Sequence, residues 1–188
     1  MKRLASRIGA RLSRFRAETS GNVAIEALIL LPLLFWAYLA MFSYFDMLRQ
    51  QSLNQKASFT VADMLSRETL EINDQYVTNA HDLFKSMIRS DSSTAMRISV
   101  LKWNAPSNRF DVMWSEARGP ATAMNAGQAN GMTAKLPIMP SGEEVILVET
   151  WTTYAIPFKI GMDDFEMNTF TFVRPRFTSQ LKWENTDV

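Results

Sequence analysis

The chain contains no cysteine among its 188 residues, which excludes a disulfide framework and a thiolate metal site. Its redox compartment is left open by that absence. With one histidine, His81, a multi-histidine metal centre within one chain is excluded and most histidine-based catalytic arrangements are disfavoured. Seven glycines and seven prolines exclude a collagen-like or Gly/Pro-rich architecture. Net charge is also scarce, at +1, and 47% of the residues are hydrophobic, so full disorder is excluded. No internal repeat is visible. What remains is one compact domain with an appendage.

The small net charge conceals an asymmetry. Lys2, Arg3, Arg7, Arg11, Arg14 and Arg16 all precede residue 17, and Glu18 is the only acid before residue 22. Beyond residue 21 the acids outnumber the bases. A basic tip on an acidic body points to contact with nucleic acid or with a membrane. The residues that follow decide between them. From Val23 to Phe45 only Glu26 is charged, and the rest is almost wholly apolar. As a helix these residues span roughly 35 Å, at about 1.5 Å each, enough for a hydrocarbon core of about 30 Å. The sequence therefore predicts a transmembrane helix over residues 22–46 and a membrane, not nucleic acid, as the partner of the tip. The positive-inside rule places residues 1–21 in the cytoplasm as a basic leader and the remainder across the membrane. Leu4, Ile8, Leu12 and Phe15 recur at helical spacing opposite arginines, which suits either a helix on the anionic inner leaflet or an unstructured leader. The apolar run is too long for a cleaved secretory signal, and Tyr38-Leu39-Ala40 lacks a small residue where such a cut needs one.

Glu26 is costly in an apolar span unless it snorkels to the interface or meets a cation. A cut after Gly21 would supply that cation. Asn22 would become the new N-terminus, and Asn22 and Glu26 are i and i+4 on one helix face. The carboxylate of one chain could then neutralise the ammonium of its neighbour. The segment Gly21-Asn22-Val23-Ala24-Ile25-Glu26, with Arg14-Phe15-Arg16 upstream and Pro32 six residues after the glutamate, resembles the TadE/TadG-like family of the tight-adherence (Tad, Flp) pilus system. The resemblance covers about residues 14–66, and Val173-Arg174-Pro175-Arg176 is similar to a C-terminal element of that family. Ala27 departs from it, standing where an aromatic is common. The resemblance implies a pseudopilin or pilus-assembly protein of the bacterial inner membrane with its head in the periplasm. It also implies prepilin-peptidase cleavage between Gly21 and Asn22, Glu26 as the subunit-pairing charge, Pro32 as a helix kink, and other pilin-like or Tad assembly subunits as partners. A permanently anchored periplasmic scaffold or binding protein that is never processed is the alternative.

Beyond the span, Leu48, Leu53, Ala57, Val61, Met64 and Leu65 keep partly helical spacing, so residues 47–66 read as a helical extension. The head is assigned to residues 67–188. Its first helix is expected from a cap at Asn73, with Tyr76, Ala80, Leu83, Phe84, Met87 and Ile88 on the apolar face. From Met96 the period becomes two. Met96, Ile98 and Val100 alternate with Arg97 and Ser99, and Phe110, Val112 and Trp114 follow across Ala105–Asn108 as the second arm of a hairpin. Residues 119–140 read as a long loop with a short turn of helix. Strands are expected over 145–155 and 168–173, and a short last one over 177–183. The fold class is α+β: a long N-terminal transmembrane helix followed by a pilin-like head, with one helix packed on an antiparallel sheet of about four strands.

Little in the sequence signals chemistry, so no enzymatic activity, cofactor, metal or small-molecule substrate is expected. His81 beside Asp82 reads as a solvated side chain on the polar side of its helix. Asp163, Asp164 and Glu166 cluster without fixed calcium-loop spacing. Trp103, Trp114, Trp151 and Trp183 read as core or half-buried sheet residues in preference to a sugar-binding platform. The twelve methionines read as core filling. If the basic leader sets orientation, acidic replacements at Arg11, Arg14 and Arg16 should scramble it. Reporter fusions placed after residue 60 should be active only across the membrane in the unaltered chain, and on both sides in the variant.

Overall fold

A computed structural model describes residues 22–89 and 92–184; the leader, including Gly21, lies outside the described residues. The chain divides into two units, Met1–Tyr44 and Phe45–Val188. Helix α1 (Asn22–Ser66) is a single run of 45 residues. It contains no glycine and one proline, Pro32, through which the helix continues. Leu, Ala, Met and Gln, all good helix formers, make up much of the run. In the first unit its large apolar side chains are uncovered. Val23, Ile29, Phe35, Trp36 and Tyr44 are all more than half exposed. By length and composition it is the one helix among the described residues able to cross a membrane.

In the second unit α1 serves a different purpose. Ala57, Val61, Ala62 and Leu65 lie inside a hydrophobic core. Helix α2 (Asp74–Ile88) joins them with Val77, Ala80, Phe84 and Ile88. Asn73 caps α2 by accepting a 2.9 Å hydrogen bond from the Tyr76 N–H, as its position just before the apolar period predicts. Both helices cover one face of a four-stranded antiparallel sheet. Its strands are β1 (Thr94–Asn104), β2 (Arg109–Arg118), β3 (Glu144–Tyr154) and β4 (Phe165–Val173), in the order β2-β1-β3-β4. The paired central strands β1 and β3 bring Met96, Ile98 and Val100 beside Ile146 and Val148 under the helices. The fold is thus α+β, with a long apolar N-terminal helix.

The opposite sheet face is also covered. The segment between β2 and β3 lies across it, with helix α3 (Ala126–Asn130) and a 3-10 turn (Gly131–Ala134) at its centre. Met124, Ala129, Met132, Leu136 and Met139 cover Leu101, Trp103, Val145 and Leu147. The three methionines here fill gaps in a layer with little regular structure, a role their flexible side chains suit. Gly119 starts this segment at φ 74°, and a Cβ there would stand 2.3 Å from the Thr94 carbonyl oxygen. Glycine is required at that position by close approach as well as by backbone angle.

Several expectations need correction. Arg97 and Ser99, which alternate with the apolar residues of β1, are buried as well, because the 119–140 segment covers their face. In α2 the buried face includes Val77 and His81, whereas Leu83 is 37% exposed. Apolarity alone had assigned Leu83 inward; the packing of α2 over the start of β1 rotates the face. Residues 177–183 do not form a strand. They lie beside the α1–α2 connection through a single parallel bridge, Ile72 to Trp183, with Ile72 N–H donating to the Lys182 carbonyl at 2.8 Å. Two helices, not one, pack on the sheet, since the end of α1 belongs to the second unit. Phe84→Ala should lower unfolding free energy by about 3–5 kcal/mol, whereas Leu83→Ala should change it by about 0.5 kcal/mol or less. Denaturant titration of the two variants checks this, and equal losses would contradict the assigned face.

Candidate functional site

Of the four residues singled out by the processing pattern, the structure describes three. Gly21 lies outside the described residues. Asn22 is the first described residue of α1, Glu26 is exposed one turn later, and Pro32 lies within the same helix. Asn22 and Glu26 therefore share a helical face. Most apolar residues between Leu28 and Phe45 are exposed, while Leu39 and Ala40 are half-buried.

The helical extension is tied to the sheet by polar contacts that the sequence did not signal. Ser58 Oγ donates to Thr171 Oγ1 at 3.0 Å, and Asn54 Nδ2 lies 3.7 Å from Met167 Sδ. Tyr154 donates its hydroxyl to Asp46 Oδ2 at 2.9 Å. Burial, reinforced by the Asp46 carboxylate, pushes the Tyr154 phenol up to about 12. The helix C-terminus is fixed by the Val173-Arg174-Pro175-Arg176 segment. Arg176 N–H donates to the Ser66 carbonyl at 2.8 Å, its guanidinium meets Asp63 at 3.3 Å, and Arg174 pairs with Glu143. That C-terminal element thus holds the end of α1 against the strand end.

His81 is the largest departure from the sequence reading. It is buried, not solvated, and its Nε2 lies 3.1 Å from Thr94 Oγ1. Burial holds its pKa below the usual imidazole value; Lys85 and Arg118 act in the same direction and Asp82 opposes them. Among the described residues no carboxylate bonds the ring, so the orienting group of a nucleophile–base pair is missing. The nearby cleft of about 1050 Å³ is lined by His81, Lys85, Arg89, Thr94 and Arg118. Arg118 is occupied there, donating to Asp74, Thr78 and the Ala117 carbonyl.

The other candidates resolve into packing. Trp114 and Trp183 are partly buried against the core, their rings 5.2 Å apart, and the Trp114 indole N–H donates to the Leu181 carbonyl at 2.7 Å. Beside them Glu144 is buried, and burial raises its pKa even though the Leu181 N–H donates to it. Trp103 stacks on Phe110 in the second core cluster. Trp151 lies against the Arg97 guanidinium, 5.3 Å from its ring centre. Arg97 is held by Glu149 at 2.6 Å and also reaches the Thr122 carbonyl. This buried pair sits where a charge in mid-strand on both β1 and β3 was the available signal. Asp163, Asp164 and Glu166 are exposed, and among the described residues no three His, Asp or Glu side chains converge as metal ligands would.

The buried His81 carries a pH prediction. A depressed folded-state pKa means that the unfolded chain binds this proton more readily. Its contribution is therefore full above the unfolded value of about 6.5 and is lost as pH falls through that value towards the folded one. Unfolding free energy should drop between pH 7.5 and 5.5, by at most about 1.4 kcal/mol per pH unit from this group. His81→Gln should flatten the profile; parallel profiles would contradict this origin. Comparison of the chain with protein-family models, with curated proteins and with solved structures finds no match.

Proposed function

We propose that this chain is a single-pass protein of the bacterial inner membrane, acting as a minor pseudopilin-like subunit or assembly factor of a Tad-type pilus. The observation that carries the reading is one sequence of features in register. A basic leader ends at Gly21, Glu26 follows five residues later, and helix α1, almost wholly apolar through Phe45, runs on without a break to Ser66. A helix that is uncovered over its first half and built into a folded head over its second half suits a subunit that is first anchored in lipid and later packed among other helices. The role is structural. In this reading the leader is cytoplasmic, residues 22–46 span the bilayer, and the head is periplasmic.

Glu26 supplies the specificity. An unpaired carboxylate in the apolar span is unfavourable. The free ammonium of Asn22 on a neighbouring processed chain would neutralise it. Removing one member of such a pair in a low-dielectric setting costs roughly 3–5 kcal/mol. Pro32 removes one helical hydrogen bond and is the expected point of bending when helices pack. The alternative, an anchored scaffold that is never processed, differs at Gly21.

Gly21→Leu should leave insertion intact but block the loss of about 2.3 kDa, roughly 21 residues at ~110 Da each, without altering the span. Glu26→Gln should be cut normally and yet fail to co-purify with assembled pili. Mass measurement and pilus recovery check both. A Gly21→Leu chain of the same mass as the unaltered protein would favour the anchored scaffold. Normal assembly of Glu26→Gln would remove the pairing role.

A further inference from the structure

The two outer strands of the sheet differ in a way that the fold does not require. Strand β2 is blocked against further pairing. It carries Arg109, Asp111, Glu116 and Arg118, and Arg109 and Asp111 pair along the strand at 2.9 Å. Its register against β1 shifts at Val100/Leu101, so Met113 is an extra residue and the strand is bulged. Charge and a bulge are both means by which natural sheets prevent edge pairing. Strand β4, Phe-Glu-Met-Asn-Thr-Phe-Thr-Phe-Val, has no bulge and a single charge, Glu166, near its start. It has no proline, lysine or arginine, and its nine residues pair with β3 without a register shift. Among the described residues no strand lies on its other side. Phe170 and Phe172 lie on its outer face with ring centres 6.3 Å apart, and Phe172 is 44% exposed.

We infer that β4 is an interaction edge, and that its occupant is β4 of a second copy of this chain, paired antiparallel about a two-fold axis at or beside Thr169. Three features select that occupant. One open and one blocked edge close the assembly at two copies, giving a continuous eight-stranded sheet; two open edges would instead extend it indefinitely. The strand is short and uniform enough to be self-complementary, with β-branched and aromatic residues at Thr169, Phe170, Thr171, Phe172 and Val173. Its single charge sets the direction. A parallel pair would bring Glu166 within about 5 Å of the partner's Glu166, whereas an antiparallel pair about Thr169 separates them by about 20 Å, beyond a Debye length. On the outer face Phe170 then lies opposite the partner's Asn168, and Phe172 opposite the partner's Glu166. The inference is independent of pilus membership: it holds for an anchored scaffold as well.

The absence of cysteine makes a direct test available. Single cysteines are introduced into the full chain, in membranes, at Asn168, Thr169, Phe170 and Phe172 on β4, and at Met113 and Glu116 on β2. Self-opposed residues of an antiparallel pair have Cα atoms about 4.5–5.5 Å apart, within disulfide reach. Oxidation should give a dimer of twice the chain mass, peaking at one β4 position and falling on either side, with none from β2. Phe172→Glu, at an exposed site where folding is spared, sets a carboxylate opposite the partner's Glu166 and should reduce that cross-linking about tenfold or more. Association through the apolar helix alone would give equal yields from β2 and β4, and that result overturns the inference. So does cross-linking of β4 to a polypeptide of different mass, no cross-link at any β4 position, or a yield unchanged by Phe172→Glu.

Discussion

One uninterrupted helix has to satisfy two surroundings, and the rest of the chain is arranged around that constraint. Over Val23–Phe45 the side chains of α1 are apolar and largely uncovered. From Ala57 onward one face of the same helix is buried with α2 and the sheet. The change occurs near Asp46, where the first charged residue after Glu26 accepts the Tyr154 hydroxyl. Further along, Ser58 and Asn54 meet Thr171 and Met167, and the arginines after β4 fix the end of the helix. Apolar burial thus holds the C-terminal turns, while polar contacts set the register of the turns before them.

The head solves a second problem, since a sheet with helices on one face leaves the other wet. Here residues 119–140 cover it, and irregular backbone over a core needs firm attachment. Arg97 provides it by joining Glu149 on the neighbouring strand, the Thr122 carbonyl and the Trp151 ring. A buried ion pair of this kind contributes little net stability against apolar residues of the same shape, but losing one partner strands a charge. Its clearest effect is on arrangement: it fixes which part of the loop lies over the sheet.

Legibility in the sequence followed the range of the forces involved. The α1 run, the Asn73 cap and the hairpin depend on neighbouring residues, and all were readable from periodicity and capping chemistry. The short helix within 119–140 was readable in the same way, from small residues between glycines and prolines. What failed depended on long-range packing. Nothing local distinguishes a histidine facing Thr94 from one facing water, and His81 was misplaced for that reason. Leu83 was drawn inward by its apolarity although α2 turns it out. Phe177–Trp183 has strand-like composition, but it runs along the α1–α2 connection, where among the described residues it forms a single bridge, to Ile72. Arg176 reaches partners more than a hundred residues away, Asp63 and Ser66, which no local pattern signals. The proposed processing residues Gly21, Asn22 and Glu26 are a pattern of sequence alone.

The central claim is that this helix begins at a new N-terminus and enters a pilus. The most direct measurement is mass spectrometry of purified surface pili from cells expressing the unaltered chain, read for its N-terminal peptide. The account predicts that the chain is present and that its first residue is Asn22. Its absence from the pili, with a membrane-bound form still beginning at Met1, would contradict the account and leave an anchored scaffold in its place.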